Sequence, residues 1–149
     1  MLQARDDVDP WAIGVAGLSF GGTRALFLAA LDERVAAAVV SGFLTTYKSY
    51  AIDRTLCGAQ YVPGLLRWAE LPDVGALVAP RPLLVEAGLH DVHFQIDASR
   101  EAHRTLERAY RLLGAEGDLW RDEFDAGHRW SGRLAYAFMD RYLKKEQSR

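Results

Sequence analysis

Two kinds of apolar pattern alternate along the chain. Trp11 to Leu18 is apolar at successive positions, which predicts a strand buried on both faces. Gly22 to Leu31 reads as a helix, with Leu26 and Ala30 at one helical spacing and Phe27 and Leu31 at the next. Val35 to Val40 is a second strand, closed by Ser41 and Gly42. From Thr45 to Pro80 the pattern becomes irregular. Pro63, Gly64 and Pro72 punctuate this connector, and Leu65–Glu70 and Asp73–Ala79 predict short helices within it. Leu83 to Ala87 is a third strand. Ala98 to Leu113 is the clearest helix: Ala98, Ala102, Leu106, Ala109 and Leu113 form its apolar stripe, and Gly114 stands at the stop position. Asp118 to Phe124 predicts a fourth strand. Ser131 reads as the cap of a last helix that turns Leu134, Phe138, Tyr142 and Leu143 inward and ends on Lys144 and Lys145.

This alternation predicts an α/β fold: a parallel sheet of about four strands joined by crossover helices, in one domain over residues 1–149. Right-handed crossovers between strands added in sequence order all fall on one face of the sheet. Only the last helix is left for the other face, too little to cover four strands.

Composition narrows the reading. The chain has 149 residues, half of them apolar, enough for one domain with a real core. A net charge of −2 with scattered Lys and Arg argues against nucleic acid as a partner. No apolar run is long enough to span a membrane, and the polar, acidic MLQARDDVDP is no signal peptide. The single cysteine, Cys57, can form no intrachain disulfide and is expected to be a small buried residue. If Met1 is the true start, the chain is expected in the cytoplasm. If a segment is missing before it, the sequence leaves the compartment open.

The chemistry begins at Gly17-Leu18-Ser19-Phe20-Gly21, a G-x-S-x-G motif between a predicted strand and a predicted helix. A serine on such a tight turn projects its hydroxyl beyond the sheet, and the flanking glycines, Gly17 and Gly21, are expected where a side chain would not fit. The helix that follows directs its positive end at the place where an oxyanion would form, with the Phe20 amide as first donor. A serine nucleophile needs a base and the base needs an orienting carboxylate. His128, in FDAGHRWSG, follows the fourth strand, and Asp91, in GLHDVHF, follows the third. Both are expected at the carboxyl ends of strands, where open parallel sheets place their sites. Rival positions stay open: His90 or His93 as the base, and Glu86 as the acid. His103 is expected on the solvated face of its helix, and Asp125 as a cap of its own loop. His90, Asp91 and His93 lack a distant fourth ligand, so neither a metal site nor any cofactor is expected.

These residues resemble the α/β-hydrolase superfamily, specifically its dienelactone hydrolase and acetyl xylan esterase-like branch. The stretches that carry the likeness are GVAGLSFGG, YVPGLLRWAELPDVGALVAPRPLLVEAG, GLHDVHF and FDAGHRWSG, spanning Trp11 to about Leu143. The resemblance implies Ser19 as nucleophile, Asp91 as acid and His128 as base, acting on a small-molecule ester of small acyl groups or of acetylated carbohydrate. Dienelactone hydrolases proper carry cysteine where this chain has Ser19, which favours the esterase side. Trp130 is expected as a neighbour of the site, and Tyr47, Tyr50, Tyr61 and Trp68 either as a pocket wall or as core. A complete member has a further block of strands before the serine, with the second oxyanion donor and a helix for the bare face. The resemblance therefore implies the C-terminal portion of the fold. The expectation is either a fragment, idle without a complementary chain, or a reduced domain that covers its bare face by self-association or with a partner.

Overall fold

A computed structural model describes residues 2–53 and 57–144. Its elements run β1 (Gly14–Leu18), α1 (Phe20–Leu31), β2 (Ala37–Ser41), α2 (Leu71–Ala76), β3 (Leu83–Gly88), α3 (Ile96–Leu112), β4 (Leu119–Phe124) and α4 (Ala135–Leu143). The four strands form one all-parallel sheet in the order β1-β2-β3-β4, so strands add in sequence order as the alternation predicts.

Side chains alternate across the sheet and divide the core in two. Ala38, Val40, Leu83 and Val85 face α1, α2 and α3 in the larger cluster, with Leu26, Leu71, Leu106 and Tyr110. Ala37, Val39 and Leu84 face α4, where Ala135 and Phe138 are buried against them. The two central strands, β2 and β3, are buried at every position.

The first strand departs from expectation. It begins at Gly14, three residues after Trp11, which is 83% exposed, and Ala16 in its middle is exposed too. β1 pairs on one side only, with β2. On the α4 face Gly14 is closely covered, since a methyl group there would meet Leu143 and, at 3.1 Å, the Met139 sulfur, whereas Ala16 on the same face is exposed. The apolar run is therefore a half-covered edge strand rather than one buried on both faces.

Other boundaries shift for identifiable reasons. α1 starts on Phe20, directly after the serine. The predicted helix at Leu65–Glu70 is a single turn, Leu65–Arg67. The next helix starts at Leu71, because Glu70 caps it through a reciprocal capping box with Asp73, and it ends at Ala76. Ser131 is not the cap of the last helix. That helix begins four residues later, while the Ser131 hydroxyl donates to Asp122 Oδ2 at 2.7 Å. Lys145 lies outside the described residues. On α3 the buried stripe is Ala98, Ala102, Leu106 and Tyr110, joined by His103, whereas Leu113 is 55% exposed. His103 is thus a core residue, not a solvated one, because its side of the helix packs on β4. Cys57 is exposed rather than buried. Tyr47 and Tyr50 are core, whereas Tyr61 is half exposed and Trp68 is almost fully exposed.

Arg81 ties the far end of the sheet together. Its guanidinium donates to the carbonyls of Ala29 at 2.6 Å, Val35 at 2.9 Å and Asp32 at 3.1 Å, satisfying carbonyls at and beyond the end of α1. Among the described residues no helix is long and apolar enough to cross a membrane.

Candidate active site

The turn from β1 into α1 is a single residue. Ser19 has φ 58° and ψ −119°, the one non-glycine residue with positive φ among those described. Such backbone persists only where its surroundings over-determine it. Here the Ser19 amide donates to the Ser41 carbonyl at 3.0 Å, and the Ser19 carbonyl accepts the Thr23 amide at 3.0 Å. The strained serine stands directly past the carboxyl end of β1, half-buried. Phe20 opens α1, so its amide belongs to the first turn, whose N–H groups have no partner within the helix.

The glycines around Ser19 serve unequally. A side chain at Gly17 would overlap the Gly21 carbonyl. At Gly21 a methyl group would meet nothing within 4 Å, so the expected need for glycine there does not hold. The need falls on Gly22 instead, where a methyl group would lie 2.8 Å from the Ser41 carbonyl oxygen and 2.9 Å from Phe43 Cβ. The helix packs hardest on β2 at that position. Gly22→Ala is expected to destabilise the fold by about 1–3 kcal/mol, whereas Gly21→Ala is expected to leave stability equal or higher by up to about 1 kcal/mol. Urea unfolding of both variants checks the contrast; equal losses would contradict it.

The loops after β3 and β4 meet. Leu89 N–H donates to the Phe124 carbonyl and His90 N–H to the Ala126 carbonyl, each at 2.9 Å. Gly88 permits this approach, since any side chain there would overlap the Ala126 and Gly127 carbonyls. The result is that His128 Nδ1 lies 2.7 Å from Asp91 Oδ2. The Asp91 side chain is almost wholly buried and that of His128 is 22% exposed. Asp91 Oδ1 accepts the amides of His93 at 2.8 Å and Phe94 at 3.0 Å, so both carboxylate oxygens are engaged. The imidazole stands over Gly42, where a methyl group would lie 3.2 Å from Cε1 and Nδ1. Gly42 directly follows Ser41, the residue whose carbonyl holds the Ser19 amide. Serine, imidazole and carboxylate thus gather at one end of the sheet.

The rival positions are occupied elsewhere. Glu86 is fully buried on the α4 face, where it accepts the amides of Gly132 at 3.0 Å and Ser131 at 3.3 Å. Beside it in the ladder, buried Asp122 holds the Ser131 hydroxyl and the Arg133 guanidinium. Together these carboxylates fasten the segment after His128 to the sheet. Asp125 does not cap its own loop; it pairs with His90 Nε2 at 2.7 Å on the surface. The His93 ring meets His128 edge-on, with centroids 5.1 Å apart. Trp130 packs against the α4-side core, drawn there with the fastened segment. Sequence reasoning gave Gly22 and Phe94 no role in the site, read Gly42 only as the close of the second strand, and held Gly88 only as the first residue of the GLHDVHF stretch. The one local signal was a glycine at the end of an apolar strand, Gly42 just past β2 and Gly88 closing β3.

No family model matches the chain. It is 32% identical over 118 residues to the protein named Putative hydrolase YtaP of Bacillus subtilis (strain 168), a match that covers 76% of this chain and 39% of that protein. Among solved structures, a carbohydrate esterase family 15 glucuronoyl esterase from Caldicellulosiruptor kristjansonii superposes with a TM-score of 0.77 at 18% identity, over 94% of this chain and 45% of the other. The acylaminoacyl peptidase of Pyrococcus horikoshii superposes with a TM-score of 0.70 at 20% identity, over 99% of this chain and 27% of the other. The chain spans less than half the length of each of these proteins. The strand order, the strained serine turn and these superpositions agree: the chain carries part of the α/β-hydrolase fold.

Proposed function

We propose that the chain is a serine hydrolase of carboxylic esters, with Ser19 as nucleophile, His128 as base and Asp91 as the orienting acid. The observation that carries this reading is the 2.7 Å His128–Asp91 bond, made between two loops at the sheet end where Ser19 is held at positive φ. Asp91 occupies Nδ1, which leaves Nε2 to take the serine proton as Ser19 Oγ attacks the ester carbonyl. The Phe20 amide and the start of α1 stabilise the oxyanion. The tetrahedral intermediate collapses as His128 passes the proton to the leaving alcohol. Water, deprotonated by His128, then releases the acid and restores the serine. The ester-hydrolase names of the glucuronoyl esterases support the reaction class. The motifs shared with the acetyl xylan esterase-like branch favour small acyl esters, including acetylated carbohydrate, as substrates.

The test is intact mass after incubation with a fluorophosphonate. A single adduct on the wild type, absent from Ser19→Ala, is expected; no adduct on folded protein would overturn the assignment.

A second reading is favoured by β1, whose outer edge is unpaired by any described strand and whose Ala16 is exposed on a thinly covered face. In it the chain is active only as a self-associated form or with a complementary chain. Native size recorded beside the labelling separates the two: adduct on a monomer favours the first, adduct confined to an assembly the second.

A further inference from the structure

A hydrogen bond to Nδ1 fixes one point of an imidazole but leaves its plane free to swing about that bond. In this site the plane is fixed as well. The Phe94 ring stacks on His128 with centroids 5.4 Å apart and planes 28° apart. Phe94 is itself held rigid: it is 4% exposed, stacks on Tyr50 at 5.5 Å and 15°, and meets Phe43 edge-on at 5.7 Å. Its amide is one of the two that grip Asp91 Oδ1. The four-residue segment Asp91–Phe94 therefore carries the acid, the amides that orient it and an aromatic wall for the base.

We propose that Phe94 is a positioning residue for His128, acting through the imidazole and not on substrate. Its role rests on the esterase reading above and has two physical parts. The stack holds the ring plane while Nδ1 stays on Asp91, so that Nε2 keeps a single direction, the one the esterase reading assigns to the serine. The electron-rich face of the phenyl also attracts positive charge, and in the proposed reaction the ring carries positive charge while it holds the proton taken from Ser19 Oγ. The contact therefore strengthens during the reaction, and it raises turnover more than it tightens binding.

The test uses the full chain with p-nitrophenyl acetate. Phe94→Leu keeps an apolar side chain in the core but removes the aromatic face. It is expected to lower kcat about 3- to 30-fold with KM within about twofold of wild type. Phe94→Tyr, which restores the face, is expected to recover most of the loss. Thermal melting sets an assay temperature at which every variant is folded. Independently of activity, the His128 ring protons in 1H–13C spectra are expected to move downfield in Phe94→Leu and not in Phe94→Tyr, as the ring current of the phenyl is lost or kept. A folded Phe94→Leu variant with wild-type kcat would overturn the proposal, as would equal losses in the Leu and Tyr variants, which would make Phe94 a packing residue only. Wild-type protein with the ring-current signature but neither turnover nor a fluorophosphonate adduct would instead remove the esterase reading, and this role with it.

Discussion

Asp91→Asn is expected to lower ester turnover on the order of 10⁴-fold while leaving the protein folded. The carboxylate is nearly the size of the amide that replaces it, and its Oδ1 is already committed to the His93 and Phe94 amides. The asparagine oxygen takes that place, because two N–H donors select the acceptor end. Its NH₂ then faces Nδ1 of His128 where Oδ2 stood, 2.7 Å away. Nδ1 must become the acceptor, the ring proton moves to Nε2, and the nitrogen proposed as the base can no longer accept. The loss falls on kcat, because the imidazolium formed in the reaction also loses its counter-charge. Steady-state kinetics and the rate of fluorophosphonate labelling check this together. A variant within tenfold of wild type would remove Asp91 from the proposed machinery and return the question to which acid, if any, serves His128.

The second large effect is on stability in acid. His103 is 3% exposed on α3, and burial, with a smaller contribution from the Arg121 guanidinium on β4, pushes its pKa down to about 4. Glu107 on its own helix, 3.8 Å from Nε2, and Glu123 on β4 act in the opposite direction and do not outweigh burial. Nδ1 is buried without a hydrogen-bond partner among the described residues. In the unfolded chain an ordinary histidine titrates near 6.5. Below that pH the unfolded state takes up a proton that the folded state refuses, so stability falls as the pH falls from about 6.5 to about 4. Below about 4 both states are protonated and His103 adds no further loss. The full cost is on the order of 3 kcal/mol, a large share of the stability of a domain this size. His103→Phe keeps a flat ring of similar size and is expected to flatten the dependence over that window. Urea unfolding at intervals between pH 4 and 7 measures the slope for both proteins. Parallel slopes would assign the acid sensitivity to other groups.

The two positions also show which information is local. The serine turn was legible because its requirements are local: a strand, one strained residue and a helix follow one another in sequence, so the motif and its flanking apolar patterns lie in one window. Strand order was legible too, since short alternating segments with right-handed crossovers leave few topologies. His103 was misread because helical spacing assigns a face only relative to the apolar stripe. Ala109 and Leu113 drew that stripe to one side, whereas contact with β4 rotates the buried side toward His103 and Tyr110. Glu86 and Asp91 sat at nearly equivalent strand ends in the sequence. The structure separates them: Glu86 lies within β3 and faces α4, where it binds the Ser131 and Gly132 amides, whereas Asp91 lies in the loop three residues past the strand, where it meets the imidazole.

The sequence by itself determined the α/β class and the parallel sheet with one thinly covered face, and it marked Ser19 on its turn, with Asp91 and His128 as the partners the family resemblance implies, because strand period, turn chemistry and chain order are properties of neighbours in the chain. The tertiary structure decided what depends on the approach of distant segments. It placed the need for glycine at Gly22, Gly42 and Gly88, where α1 meets β2, the imidazole crosses the sheet end and two loops touch. It joined the DVHF segment to His128, and left the middle of β1 exposed rather than buried on both faces. Such contacts join residues tens of positions apart, and no pattern of neighbours encodes the distance between them.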